Sequence, residues 1–236
     1  MPPTAVLVHG AFADAAGWTG VIAELQNHSI PVIAPPNPLR GLTSDAAYTA
    51  SVAAQIDGPV VRVGHSYSGA ITSVAGAAEN VVRLVCVAAY VTEEGESLSE
   101  LQSGLPLSRL VSNLKEATYP AEGTEPAVEV TINAEAFPDI FAAAVPAAAT
   151  KVLAVAQRPP AASAFTEMAS AAAWKTRPSW ALVAGADQAI NPEVERFGAK
   201  RSGATIVEIE GASHTVAVSR PKEVAEPIRD AVRATS

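Results

Sequence analysis

A serine lies where an apolar β-strand pattern changes at once into a helical pattern, a position that suits a nucleophile. The segment GHSYS covers residues 64–68, between the run PVVRV and an amphipathic run. It nearly matches G-x-S-x-G, in which the serine occupies a strained strand-to-helix turn and the residues two places away must be small. Gly64 is small, and Ser68 departs from glycine but is small too. We therefore predict that Ser66 is a nucleophile rather than only a helix N-cap.

A serine hydroxyl needs a base at neutral pH, and the chain has four histidines. His214, in EGASHTVAV, follows the last predicted strand, and loops after parallel strands meet at the carboxyl edge where Ser66 also lies. His65 is next to Ser66, and neighbouring side chains on a turn point apart. His28 ends a helical pattern, and His9 precedes a glycine turn that it is expected to brace. His214 is therefore the predicted base.

A third group must orient the imidazole and stabilise its charged form. Asp187, in VAGADQAINP, follows the fifth predicted strand and precedes His214. The resulting chain order of serine, aspartate and histidine is typical of enzymes that carry G-x-S-x-G on a parallel sheet. Glu93 or Glu94, just after the fourth predicted strand, are the alternatives. We predict that Asp187 is the acid.

Backbone N–H groups must stabilise the negative oxygen of the tetrahedral intermediate. The amide of Tyr67, directly after the predicted nucleophile, is one predicted donor. The turn HGAF at residues 9–12 supplies the other, with Ala11 preferred and Phe12 as the alternate. Gly10 lets the backbone of this turn approach closely.

Short apolar runs that alternate with helical patterns predict the elements that position these residues. The six predicted strands cover residues 4–10, 30–35, 58–64, 81–91, 179–185 and 204–209. Strands that are apolar on both faces indicate an α/β fold, with a mainly parallel six-stranded sheet and helices on both faces. The rhythm breaks at residues 92–177, which we interpret as an inserted, mostly helical cap with a short strand, AVEVTI. The predicted core is residues 1–91 and 178–236.

Composition narrows the class of protein. The net charge of −8 and the isoelectric point near 5.0 argue against nucleic acid or an anionic membrane as a partner. Cys86 is the single cysteine, so neither an internal disulfide nor a cysteine-type zinc site is expected, and no metal is predicted. No apolar run is long enough for a signal peptide or a membrane span, so a cytoplasmic protein is expected.

Several segments together resemble the α/β-hydrolase family, and within it the small bacterial esterases allied to plant methyl esterases and hydroxynitrile lyases. They are LVHGAFADAAGW, VGHSYSGA, YVTEEGES, GADQAINP and GASHTVAVSRP, which lie between residues 6 and 221. The resemblance implies a helical cap, no cofactor, and the nucleophile, base, acid and oxyanion amides assigned above. The lyase branch tends to carry threonine at position 10 and lysine after the catalytic histidine. Gly10 and Thr215 stand there instead and favour hydrolysis.

The sequence thus predicts a serine carboxylic-ester hydrolase that acts on small apolar or aromatic esters. Phe12, Phe141 and Trp174 are the predicted substrate-binding residues, with other cap aromatics serving either the site or the cap's own core. Lactone opening, perhydrolysis or carbon–carbon cleavage by the same residues, and slow-turnover binding of a small ligand, are the alternatives. A small-molecule ester is the expected partner, and a homodimer stays open.

Overall fold

The computed structural model describes residues 2–121, 123 and 125–235 of the chain. Its eight strands are β1 (Thr4–Val8), β2 (Val32–Ile33), β3 (Val60–His65), β4 (Val81–Val87), β5 (Leu114–Tyr119), β6 (Ala127–Ile132), β7 (Ser179–Ala184) and β8 (Thr205–Ile209). Six of them form a sheet in the order β2-β1-β3-β4-β7-β8, in which every neighbouring pair is parallel. The predicted fold class is confirmed.

Helices connect these strands and cover both faces of the sheet. They are α1 (Thr19–Asn27), α2 (Leu42–Ala54), α3 (Ser68–Ala75), α4 (Leu98–Ser103), α5 (Phe137–Phe141), α6 (Ala147–Val155), α7 (Pro192–Arg201), α8 (Val216–Ser219) and α9 (Pro221–Arg233). Among the described residues, no helix combines the length and the apolar character needed to cross a lipid bilayer.

Side chains that point alternately to the two faces of the main sheet are buried on both faces. Leu7 of β1 packs with Leu25 of α1 and Ile228 of α9 in one buried cluster. Val6 and Val8, the residues on either side of Leu7, belong to a different buried cluster, which also contains part of α2. Successive side chains of a strand point to opposite faces, so a strand covered on both sides must be apolar throughout.

Besides shifts of one to four residues at the ends of other strands, two details of the sheets differ from the sequence prediction. Strand β2 has only two residues instead of the predicted six, because Pro31 and Pro35 flank it and lack the N–H that a ladder needs. The predicted strand AVEVTI is present as β6, but it pairs antiparallel with β5, which the sequence analysis did not predict.

The segment of residues 92–177, called the cap below, remains a predicted unit. Main-chain hydrogen bonds attach it to loops at the carboxyl edge of the main sheet. Phe12 N–H donates to the Arg158 carbonyl at 3.0 Å, and Thr215 N–H donates to the Phe141 carbonyl at 3.1 Å. The cap therefore adjoins the loops that carry the candidate site residues.

Candidate active site

Ser66 lies at the corner between β3 and α3, as the sequence predicts. Its φ of 57° is in the left-handed region, where a residue with a side chain is strained. A Cβ atom at Gly64 would lie 2.2 Å from the Ser68 carbonyl oxygen and 2.5 Å from Thr72 Oγ1, so the tight turn has no room for a larger residue. The strain and the close packing fit the geometry expected of a nucleophile elbow.

Two hydrogen bonds join the three predicted catalytic residues into one chain. His214 Nε2 lies 2.9 Å from Ser66 Oγ, and His214 Nδ1 lies 2.5 Å from Asp187 Oδ2. Since the carboxylate can only accept, Nδ1 carries the ring proton and Nε2 is the nitrogen that accepts from the serine hydroxyl. Asp187 and His214 are each only 1% exposed, so this chain of bonds is shielded from water.

Backbone amides hold the Asp187 carboxylate in place. Its Oδ1 accepts from Ala189 N–H at 2.7 Å and from Ile190 N–H at 3.0 Å. The oxygen left over, Oδ2, therefore faces the imidazole in a fixed orientation.

The alternative acids lie elsewhere in the structure. Glu93 pairs with Lys175 Nζ at 2.5 Å, and this hydrogen bond lowers the pKa of the Glu93 carboxyl. Glu94 is exposed, and its N–H donates to Glu93 Oε1. The structure brings Asp187 to the imidazole and leaves both glutamates at the surface.

The amides predicted as oxyanion donors differ in their availability. Phe12 N–H is occupied by the Arg158 carbonyl, whereas in the described part of the chain the N–H groups of Ala11 and Tyr67 have no acceptor. The Tyr67 hydroxyl donates to Asp45 Oδ2 at 2.9 Å, which holds the side chain away while the amide stays free. The geometry favours Ala11 over Phe12.

Ser68, the departure from G-x-S-x-G, ties α3 to the turn at residues 9–12. Its hydroxyl donates to the His9 carbonyl at 2.5 Å, and Asn37 Nδ2 donates to both of these oxygens at 3.1 Å. His9 Nε2 accepts from Asn37 N–H, and burial lowers the pKa of the ring, so His9 stays neutral. His9 braces its loop in this way, as predicted.

The other two histidines do not contact the serine hydroxyl. His65 Nε2 lies 2.9 Å from the His214 carbonyl oxygen, and burial, reinforced by the charge of His214, lowers the pKa of His65 to about 3. Neutral His65 therefore donates a hydrogen bond that holds the backbone of the predicted base. His28 is exposed and bonds to the Glu24 carbonyl.

A group of aromatic rings from the core and the cap reaches the imidazole through Phe141. The Phe141 ring lies 4.8 Å from that of His214, and it meets Phe12 edge to face at 6.1 Å. Phe137 packs behind Phe141 at 4.9 Å, and Phe165 lies 6.3 Å from Tyr67. Both Phe12 and Phe141 are thus placed beside the predicted catalytic residues.

Trp174 does not join this group, so the prediction that it binds substrate has no support in the structure. Its indole Nε1 donates to the Thr92 carbonyl at 2.9 Å, and the Arg201 guanidinium lies over the ring at 6.0 Å. It packs near Cys86 and Val91, where it secures the start of the cap to the core.

A carboxyl that was not predicted from the sequence is buried near the predicted acid. Glu195 of α7 is 2% exposed and accepts a hydrogen bond from Ala184 N–H at 2.9 Å. One sequence signal pointed to its burial. Gly198 and Ala199, one turn further along the same side of the helix, are small, and in the structure they are buried.

A profile of the alpha/beta hydrolase family matches residues 5–226. The chain belongs to this family. Solved structures similar to this hydrolase include polyneuridine aldehyde esterase, at 18% identity and a TM-score of 0.82, with 98% of this chain and 99% of that chain covered. A pyrethroid hydrolase from Sphingobium faniae is 19% identical, with a TM-score of 0.76 and 98% of both chains covered. A methylesterase from Arabidopsis is 16% identical, with a TM-score of 0.78 and coverage of 98% and 99%.

No curated protein sequence gives a significant match to this hydrolase. At identities below 20%, the solved structures show a shared fold. Among the residues that the structure describes, the hydrolase has no group of three or more His, Cys, Asp or Glu side chains arranged to hold a metal ion.

Proposed function

We propose that the chain is a serine carboxylic-ester hydrolase that works through an acyl-enzyme intermediate. The observation that carries the proposal is the unbroken pair of hydrogen bonds from Ser66 Oγ through the His214 ring to Asp187. A buried hydroxyl bonded to the free nitrogen of an oriented imidazole is what activation of a serine requires.

In the first half of the reaction, Ser66 Oγ attacks the ester carbonyl carbon while its proton moves to His214 Nε2. Asp187 stabilises the imidazolium, and the amides of Ala11 and Tyr67 stabilise the negative oxygen of the tetrahedral intermediate. When the intermediate collapses, Nε2 gives its proton to the departing alkoxide. The alcohol leaves, and the acyl group stays as an ester on Ser66.

In the second half, a water molecule attacks the acyl carbon and His214 Nε2 takes the water's proton. Collapse of the second tetrahedral intermediate breaks the bond to Ser66 and returns the proton to Oγ. The carboxylic acid is released and the enzyme is restored.

Apolar surroundings support small apolar or aromatic esters as the substrate class. Phe12 and Phe141 flank the predicted reacting groups. An apolar cleft of about 400 Å³ is lined in part by Tyr90 and Phe165; Tyr90 N–H donates to the Ser66 carbonyl, and Phe165 packs on Tyr67. Ser66 and His214 do not line this cleft, so its links to the predicted nucleophile are those of Tyr90 and Phe165, and a volume of this size suits a small ligand. The names of the similar structures, an esterase, a pyrethroid hydrolase and a methylesterase, are in line with ester chemistry.

The close packing at Gly10 favours hydrolysis over the lyase chemistry of the resembling branch. A Cβ atom at this position would lie 2.7 Å from Ser66 Cβ, so a threonine would displace the nucleophile. Thr215, rather than a lysine, follows His214, so the charge that would stabilise a cyanide leaving group is missing there.

The test is turnover of a panel of aryl and alkyl esters, with mass spectrometry of the protein after reaction with a fluorophosphonate. We expect a phosphonyl group on Ser66, and Ser66→Ala should lower turnover by about 10⁴-fold or more. Ser73→Ala is the matched control, because Ser73 lies on the helix that follows Ser66 and its hydroxyl donates to the Gly69 carbonyl of that helix.

Near-native turnover by Ser66→Ala would contradict the proposal. Rapid labelling without ester turnover would instead indicate a ligand-binding protein. Turnover confined to lactones, peroxide-dependent acyl transfer or carbon–carbon cleavage would move the same residues to one of those reactions.

A further inference from the structure

A second carboxyl group is buried beside Asp187, and half of it lacks a partner. Glu195 Oε2 accepts from Ala184 N–H, but among the described residues Oε1 has no hydrogen-bond partner. Asp187 N–H donates to the carbonyl of the same Ala184 at 3.1 Å, so both acidic residues are anchored at the end of β7 and their carboxyls interact at close range. Two buried carboxylates at that distance repel each other, whereas a proton on Oε1 turns the unpaired oxygen into a donor for its neighbour.

The charged groups around Glu195 do not supply a cation that would keep it ionised. Asp187 interacts with it, and the Tyr90 hydroxyl, which is sensitive to the charge of both carboxyls, donates to Gln102 Oε1 at 3.3 Å. Arg196 is adjacent in sequence, but its guanidinium is bound at the surface by Glu208 at 2.5 Å. Burial, and then the charge of Asp187, raise the pKa of Glu195 well above its usual range.

We propose that Glu195 is a positioning residue, a neutral carboxylic acid that donates a hydrogen bond from Oε1 to the Asp187 carboxylate. It fixes the acid that in turn orients His214, and it leaves the buried carboxyl pair with a single negative charge. This proposal rests on the proposed function for its kinetic readout but not for its structural one.

The decisive variant is Glu195→Gln, whose amide keeps both the acceptor for Ala184 and a donor for Asp187 but never carries a charge. We expect its kcat to stay within about twofold of wild type and the midpoint of its acid limb within about 0.3 pH unit. Glu195→Met keeps the length but loses both bonds, and its kcat should fall by about tenfold or more with little change in KM. Glu193→Gln, exposed on the same helix, is the control.

A fall of about one pH unit in the acid-limb midpoint of Glu195→Gln would overturn the proposal, because it would mean that wild-type Glu195 carries a negative charge that favours the imidazolium. A folded Glu195→Met that matches Glu195→Gln in kcat and pH profile would overturn it too. If Glu195→Met does not fold, the glutamine variant still decides.

Titration of the His214 ring by NMR with labelled histidine repeats the comparison without any substrate. We expect wild type and Glu195→Gln to titrate together, and separated curves would contradict a neutral Glu195. If wild type turns over no ester, the proposed function fails while this titration still tests Glu195.

Discussion

On the core side of the site, side chains are held by hydrogen bonds to the main chain, whereas on the cap side they are held mostly by ring packing. Two amides hold the Asp187 carboxylate, and His65 holds the carbonyl of His214. From the cap, the Phe141 ring packs on the imidazole ring, and its carbonyl accepts a hydrogen bond from Thr215 N–H of the core. Directional bonds fix atoms to within tenths of an ångström, and packing fixes shape. We infer that the core determines the reaction and that the cap determines the substrate.

The largest effect should come from the acid on the core side. Asp187→Asn keeps the shape of the side chain but replaces one acceptor with a donor. The imidazole is then no longer held with its proton on Nδ1, and kcat should fall by about 10²–10⁴-fold. Glu93→Gln, at the start of the cap, should stay within about twofold of wild type. Steady-state kinetics on one ester compares them, and a larger loss in the glutamate variant would place the acid on the cap side.

A smaller effect, on selectivity, should come from the cap ring. Phe141→Ala removes the ring beside His214 and Phe12, so the ratio of kcat/KM values for benzoyl and acetyl esters should change by about tenfold. Phe197→Ala, an exposed ring on α7, is the control. Were the two esters to lose activity equally, by as much as in Asp187→Asn, the division between reaction and selectivity would fail.

The contribution of a carboxyl to protein stability should change with pH in opposite directions for Glu195 of the core and Glu100 of the cap. The pKa of Glu195 is raised by burial, so its contribution is complete below about pH 4.3 and declines as pH rises toward the folded-state value. Between about pH 4.3 and the folded-state pKa, the free energy of unfolding of Glu195→Gln should rise relative to that of wild type by about 1.4 kcal/mol per pH unit.

The cap residue Glu100 behaves in the opposite way. Hydrogen bonds from Ser97 lower its pKa, so its stabilising contribution is present above about pH 4.3 and is lost as pH falls through the folded-state value. At neutral pH, Glu100→Gln should therefore have a lower free energy of unfolding than wild type, and this difference should disappear at low pH. Urea unfolding from about pH 2.5 to 8 measures both variants, and parallel curves would show that the two carboxyls do not differ.

The smallest effect should come from Trp174. Trp174→Phe keeps an aromatic ring but removes the bond to the Thr92 carbonyl, so unfolding should become about 1 kcal/mol easier while ester selectivity is unchanged. Thermal unfolding and the same ester pair test this. A shift in selectivity would return Trp174 to the substrate site, as the sequence analysis first expected.

The sequence was most informative where a local pattern and the rule of parallel sheets agree. Gly64, the apolar strand before it and the helix after it place Ser66 at a corner. Strands that end before Asp187 and His214 then bring those two side chains to the same edge. No long-range packing has to be known for this step, so the fold class and the meeting of the three residues could be predicted.

Where position depends on tertiary packing, the sequence was less informative. Trp174 could equally face the site or the core, and the Arg201 guanidinium and Thr92 carbonyl that receive it are distant in sequence. Glu195 reads as helix surface, because acidic residues are common in a first turn. Strand β5 carries the exposed and partly charged sequence LKEATY, so only its pairing with β6 identifies it.

Ser68 has a mechanical consequence. The Ser68 hydroxyl and the Asn37 amide both donate to the His9 carbonyl. They form a clamp between α3 and His9, which lies 59 positions before Ser68 in the chain. The free amides of Ala11 and Tyr67 belong to the two segments joined by this clamp. The distance between these two amides therefore depends on the Ser68 side chain. Removal of its hydroxyl would let the two segments move independently of each other.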